Sequence, residues 1–515
     1  MNLPHLPLLL AAVCLPGLAP AQTPTTPPPA PAVKAPEPDD DAAWIHKTHT
    51  LQLAGKQVDY TSTTGLMPLR SATGDVEGRM FFTAYHVDNA PAGVKRPVTF
   101  VFNGGPGSAS LWLHLGFVGP KRVKLQPDGM MPPPPYELVP NDESILPATD
   151  LVLIDPIGTG YSRPEKPEFG SKFWSVQGDI DSVGTFIQNY LTIENRWQSP
   201  VFVLGESYGG IRGSGLAQWL TQHGTGVNGL ILVSPALNTN TLWASKANDQ
   251  PFAYFLPTFA AAAWYHHKLS AEMEKKPVGD LVREVQAWVY DDYLPSLLRG
   301  SALKPEKRKQ IVAKLASFTG LSPTFIDNTN LRISDGDFFK ELLRDQRHTI
   351  GRFDARFLGV DRSWVTEGPD FDPSDSQTGP PFTTCINTYL RNELGYKTTT
   401  KYSISGEGVN WQWEPFSTDR SEALRDALHE NPYTKLFVAM GYFDLACPMT
   451  SVEQTLNEME LDPRLAGNIT RSYYSAGHMM YVDTESRRKL HDDVSKFIAS
   501  ASNPSLPDGI IRSHP

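Results

Sequence analysis

Gly205-Glu206-Ser207-Tyr208-Gly209 follows the apolar run Pro200-Val201-Phe202-Val203-Leu204 and leads into Gly210-Ile211-Arg212-Gly213-Ser214-Gly215-Leu216-Ala217. This order predicts a strand, a sharp turn and a helix, the setting of a nucleophile elbow. Such a turn holds its central serine in a strained conformation that only small flanking residues permit, which explains the glycines. The Ser207 hydroxyl then stands at a helix N-terminus, where developing negative charge is favoured. The same five residues also fit a glycine-rich turn with an incidental serine, so the rest of the chain must decide.

Outward from this turn runs a series of near-continuous apolar segments, the pattern of strands covered on both faces. They are Val98 to Phe102, Leu151 to Ile154, Val201 to Leu204, Leu230 to Val233 and Leu436 to Met440, with a more polar one near Ile469 to Tyr474. Val176, Ile180, Val183, Ile187 and Leu191 recur at helical spacing between them, and Leu490, Val494, Phe497 and Ile498 predict a last helix. Alternating strands and helices predict an α/β fold with a doubly wound, mostly parallel sheet. Alternation in His49 to Leu53 and Met80 to Tyr85 predicts an antiparallel start. The rhythm stops between Leu237 and about Thr418. Helix-like runs there (Ala271 to Arg299, Lys304 to Ser317, Asp335 to His348) predict a long, largely helical cap over the C-terminal edge of the sheet. The expected division is core over 42–237, cap over 238–418, core again over 419–502 and a tail over 503–515.

A serine hydroxyl needs a base in reach and an acid to orient that base. Folds of this kind carry them in the order Ser, Asp or Glu, His. Asp444 follows the strand Lys435 to Met440, and His478 follows the strand ending at Tyr474. Each alone reads as a turn residue or a structural histidine; together, in this order beyond successive strands, they complete a triad with Ser207. The N–H of Tyr208 and a glycine of the loop Asn103-Gly104-Gly105-Pro106-Gly107-Ser108 suit an oxyanion site, since glycine lets backbone approach a substrate.

Four blocks carry a family resemblance: Asn103 to Ser108, Asp155-Pro156-Ile157-Gly158-Thr159-Gly160-Tyr161-Ser162, Gly205 to Gly210, and Gly477-His478-Met479. With the looser Gly441-Tyr442-Phe443-Asp444, the chain resembles the serine carboxypeptidases, within the α/β-hydrolase superfamily. The resemblance implies Ser207, Asp444 and His478 as triad, Gly105 and Tyr208 as oxyanion donors, and Asn103 and Glu206 as ligands of the substrate's C-terminal carboxylate. It further implies peptide substrates, no cofactor or metal, and activity favoured at acidic pH, where Glu206 beside a substrate carboxylate carries a proton. The chain departs from the pattern at Val101, where many relatives have tryptophan, and at Ser108, often a bridged cysteine. An esterase or acyltransferase with the same triad, and a non-catalytic scaffold, are the alternative readings.

Composition agrees. The chain has 515 residues, 40% of them hydrophobic and 20% charged, with net charge −10 and no basic block. This disfavours nucleic acid as a partner. Leu6 to Leu18 is largely apolar, and Ala19-Pro20-Ala21 fits a cleavage site, so 1–21 reads as an export signal to the periplasm or medium. A lipidated Cys14 fits less well, because Val13 is larger than the usual preceding residue. No segment has the length for stable membrane insertion. The Pro-rich stretch 22–41 reads as an extended tether. Cys385 and Cys447 either pair or remain two buried thiols. Asp370, Asp372 and Asp375 read as a solvated acidic loop without calcium-loop spacing, His266-His267 as a surface or cap feature, and Asn468-Ile469-Thr470 as a sequon within a strand.

Overall fold

The computed structural model describes residues 44–53, 55–89, 95–406, 409, 413 and 418–505. The expected export signal, the tether and the last ten residues of the expected tail lie outside them. Nine strands form the body of a ten-stranded sheet: β1 (Ile45–Leu53), β2 (Lys56–Arg70), β3 (Val76–Val87), β4 (Val98–Phe102), β5 (Asp150–Ile154), β6 (Val201–Glu206), β7 (Gly229–Val233), β8 (Lys435–Gly441) and β9 (Ile469–Tyr474). The spatial order is β1-β2-β3-β5-β4-β6-β7-β8-β9, and the short Arg163–Pro164 strand pairs with β3. β1, β2 and β3 are antiparallel, β3 meets β5 antiparallel, and from β5 to β9 every pairing is parallel. The strand order reverses around β4, which has β5 on one side and β6 on the other. That is the switch point at which open α/β sheets gather ligands.

The central strands are buried on both faces because consecutive side chains point to opposite sides. Phe100, Phe102, Val152, Val203, Leu230 and Val438 join one apolar cluster, whereas Val101, Leu153, Phe202, Leu204, Ile231 and Phe437 join the other. On the first face lie α1 (Val176–Ile193) and α2 (Gly209–Gln222). Ser175 caps α1 by accepting from Gly178 N at 3.0 Å, and its stripe of Ile180, Val183, Ile187 and Leu191 is buried as the spacing predicts.

Between β7 and β8 the chain is mostly helical, though shorter in its elements than expected. The run Ala271 to Arg299 is interrupted at Pro277, with helices Ala271–Glu274 and Val278–Trp288 on either side and a further helix at Leu294–Arg299. Asp335 to His348 is helical only over Asp335–Glu341 and a short turn after it. The acids at 370–375 are not a free loop. Asp372 accepts from Ser374 N and caps α3 (Pro373–Asn392), a helix that contains Pro380 and Pro381. Those prolines remove the usual helical signature from the sequence. α3 buries Phe382, Cys385, Ile386 and Tyr389 in the second apolar cluster, so the inserted segment also covers the sheet itself. α4 (Ser421–Glu430) then returns the chain to β8, and α5 (Thr484–Ala501) closes the second face with Leu490, Val494, Phe497 and Ile498.

Candidate active site

Strand register builds the site. Phe102 of β4 pairs with Gly205 of β6, so the next residues, Asn103 and Glu206, fall side by side at the C-terminal rim. One residue further, Ser207 has φ of 62°, the left-handed strain expected of an elbow. Its carbonyl accepts from Gly210 N at 2.8 Å and Ala236 N at 2.9 Å, which fixes the turn from both sides. Gly104 is required by close approach: a Cβ there would stand 2.4 Å from Tyr208 N and 2.7 Å from Glu206 O.

Gly441 of β8 pairs with Tyr474 of β9, and the loops beyond them bring Asp444 to His478. His478 Nδ1 lies 2.8 Å from Asp444 Oδ2. Asp444 Oδ1 is held by the N–H groups of Ala446 (2.8 Å) and Cys447 (2.9 Å). This acceptor-rich partner places the imidazole proton on Nδ1 and leaves Nε2 free as a base. Burial by itself lowers the His478 pKa. The charge and hydrogen bond of Asp444, with Glu206 assisting and Arg352 opposing, outweigh it and leave the pKa raised. Ser207 and His478 line one cavity of about 190 Å³. The Ser207 side chain stands beside the Cys447 thiol, whose pKa burial pushes up. Among the described residues no bond joins Ser207 Oγ to Nε2. A serine hydroxyl hops readily between staggered wells, and such bonds often tighten only around substrate.

Asn103 Nδ2 donates to Glu206 Oε1 at 2.8 Å, and Asn103 Oδ1 accepts from Leu113 N at 3.0 Å. Both residues are buried. Burial pushes the Glu206 carboxyl up to about 7, against the charge of His478, the nearby Tyr481 hydroxyl and the hydrogen bond from Asn103. Tyr481 stands toward the same carboxyl but outside good geometry, leaving Oε2 without a partner. A carboxyl in this state is protonated below neutrality and can donate to an anionic ligand. Among the described residues the N–H groups of Gly105 (φ 107°) and Tyr208 have no protein acceptor, as suits donors to a developing oxyanion.

The seven residues singled out from sequence therefore meet at one rim. The structure adds Trp112, Arg352, Phe353, Asp375, Thr378, Ser405 and Met479 to the cavity wall. Only Met479, beside the histidine, had a local signal. Val101 is wholly buried in β4, while Trp112, in the turn after the glycine loop, faces the cavity and donates from Nε1 to Ser108 Oγ at 3.2 Å. Cys385 and Cys447 are free thiols in the two clusters on opposite faces of the sheet. Asp370 pairs with Arg362, and His266 Nε2 bonds Ala355 O at 2.7 Å. The sequon residue Asn468 is buried, with its amide donating to Pro432 O at 2.8 Å. Among the described residues no helix is long and apolar enough to cross a membrane.

Over 157 residues the chain is 31% identical to the pheromone-processing carboxypeptidase KEX1 of Saccharomyces cerevisiae, a stretch covering 28% of this chain and 20% of that protein. Over 166 residues it is 30% identical to serine carboxypeptidase-like 36 of Arabidopsis thaliana, covering 31% of this chain and 32% of that one. These alignments span a third or less of the relatives' own lengths. The crystal structure of the Saccharomyces cerevisiae prohormone-processing carboxypeptidase Kex1 shares the fold, with a TM-score of 0.55 at 18% identity over 85% of this chain and 91% of that one. The model of the family described as serine carboxypeptidase matches residues 54–482. Because that match runs from the start of β2 to just beyond His478, taking in both halves of the sheet and the segment between them, the chain belongs to the serine carboxypeptidase family.

Proposed function

We propose that the protein is a serine carboxypeptidase that removes single residues from the free C-termini of peptides. Ser207 attacks the last peptide carbonyl. His478 Nε2 takes the hydroxyl proton and passes it to the leaving amine, and Asp444 holds the ring and stabilises its charged form. The N–H groups of Gly105 and Tyr208 bind the oxyanion. The acyl group on Ser207 is then hydrolysed by a water activated by the same histidine. Residues 238–418 act as the cap that narrows the entrance, and an export signal at 1–21 would place the enzyme in the periplasm or medium.

The observation that carries this reading is the buried Asn103–Glu206 pair next to the Asp444–His478 pair. A carboxyl that keeps its proton up to about 7 is suited to receive a second carboxylate, which an enzyme cutting inside a chain never meets. The test compares a blocked dipeptide with its C-terminal amide at pH 5.5. The reading expects kcat/KM at least about a hundredfold higher for the acid, the scale set by leaving a site's buried polar groups unpaired. Equal rates, or faster turnover of a simple ester than of either peptide, would favour an esterase. Absence of fluorophosphonate labelling at Ser207 would favour a scaffold.

A further inference from the structure

Arg352 brings to the cavity a charge that the triad does not use. Its backbone is fixed on two sides: its N–H donates to Asp372 Oδ1 at 3.1 Å, and its carbonyl accepts from Leu445 N at 3.0 Å. The next two residues bind the histidine loop, Phe353 O accepting from His478 N at 2.6 Å and Asp354 Oδ2 from Gly477 N at 3.0 Å. Arg352 is therefore held in register with Asp444 and His478 although it lies in the inserted segment.

Its side chain is half-buried and lines the cavity with Ser207. Among the described residues no carboxylate lies within ion-pair distance of the guanidinium, which rests over the ring of Phe353 at 5.2 Å. The buried arginines Arg212, Arg356 and Arg487 each have a carboxylate partner. The two acids nearby do not supply one. Asp372 Oδ1 is engaged with the N–H groups of Arg352 and Ser374 and with the Ser374 hydroxyl. Asp375 shares the cavity wall, but burial and the charge of Asp372 push its pKa up. With Glu206 protonated below neutrality and no described carboxylate in ion-pair reach, the Arg352 guanidinium in the cavity wall is open to a substrate anion. A half-desolvated planar guanidinium without a partner is a strong site for a carboxylate.

Its position selects which carboxylate. Arg352 and Phe353 are hydrogen-bonded to Leu445 and His478, in the loops beyond β8 and β9, and so approach Ser207 from that side, whereas Asn103 and Glu206 stand at the ends of β4 and β6 on the other. Arg352 thus belongs with the acyl half of the substrate and not with the C-terminal carboxylate. We infer that Arg352 is a specificity-determining residue that pairs with an aspartate or glutamate side chain on the penultimate residue, the one whose carbonyl Ser207 attacks. This inference rests on the carboxypeptidase reading above.

The test measures release of phenylalanine from blocked Glu-Phe, Gln-Phe, Ala-Phe and Lys-Phe at pH 5.5, where a glutamate side chain is ionised. Wild type should prefer Glu over Gln by about tenfold or more in kcat/KM, the effect of a charge-assisted hydrogen bond. Arg352→Gln should bring that ratio to near one, Arg352→Lys should keep part of it, and Arg352→Glu should shift preference to Lys-Phe. Because the guanidinium makes no hydrogen bond among the described residues, these variants should fold, and the lysine variant tests the charge with the smallest change. A Glu/Gln ratio near one in wild type, or a ratio that persists in Arg352→Gln, overturns the assignment while leaving the carboxypeptidase reading intact. Failure of wild type to release phenylalanine from any of the four peptides overturns both.

Discussion

Asn103 and Glu206 are 103 positions apart in sequence and meet at 2.8 Å, amide to carboxyl, because β4 and β6 end in register at the rim where Ser207 turns. The contact couples the shape of the sheet to a proton. Burial holds the Glu206 pKa near 7 instead of 4.5, so the group is neutral through the acidic range.

Replacing Glu206 by glutamine tests that proton by activity. The alkaline limb of wild-type kcat/KM on a blocked dipeptide should fall as pH rises through about 7, where Glu206 becomes an anion facing the substrate's carboxylate, while the acid limb reports His478, whose raised pKa keeps Nε2 protonated at low pH. Glu206→Gln should be less active at pH 5 but keep a flatter profile to pH 8. A wild-type profile flat from pH 4 to 8 would contradict this.

The same group predicts a stability effect of definite sign. A carboxyl whose pKa is raised on folding favours the native state below its unfolded pKa, and this contribution is lost as pH rises through the folded value. Between pH 4.5 and about 7 wild type should therefore lose stability relative to Glu206→Gln. A pKa difference of this size is worth on the order of 3 kcal/mol at pH 8. Urea denaturation of both proteins at pH 4 and pH 8 checks it.

Asp444→Asn should leave the fold intact and lower kcat by about a thousandfold or more, with a smaller change in KM, because the amide can no longer favour the Nδ1-protonated tautomer or stabilise the charged ring. Steady-state kinetics with thermal melting as a control provides the check.

Gly104→Ala should damage both stability and rate. The added methyl meets the backbone of Tyr208 and Glu206 at 2.4 and 2.7 Å, atoms that cannot move without displacing the elbow. Overpacking of this kind costs about 1–3 kcal/mol. A variant melting within a degree of wild type, at full kcat, would contradict the close approach.

Away from the site, Lys340 and Asp361 form an ion pair with neither side chain exposed, and Lys340 also donates to Ser363 O at 2.6 Å. Lys340→Met strands a buried carboxylate and should destabilise the protein by roughly 3–5 kcal/mol, whereas replacing both partners with apolar residues should restore much of the loss. Chemical denaturation of the single and double variants measures the difference.

The parallel strands were legible because a sheet covered on both faces writes near-continuous apolar runs, and the elbow because its glycines answer a local steric need. Asp444 and His478 were legible through their order after strands. Arg352, Asp375, Thr378 and Tyr481 left no comparable mark. The first three reach the cavity only after a long insertion has folded back over the rim, and Tyr481 meets Glu206 through the packing beyond β9. α3 was hidden for a different reason: Pro380 and Pro381 interrupt a helix that tertiary burial of Phe382, Ile386 and Tyr389 sustains. β2, the longest described strand, carries threonine and serine through its middle, so no clear apolar alternation marks it between its two neighbours.

The central claim is that Ser207 opens the last peptide bond of a chain with a free C-terminal carboxylate. Mass spectrometry of one peptide over time, as free acid and as amide, with wild type and Ser207→Ala, tests it most directly. Wild type should produce a ladder shortened one residue at a time from the acid and leave the amide largely intact, and Ser207→Ala should produce no ladder. Internal cleavage, equal trimming of the amide, or a ladder from Ser207→Ala would contradict the account.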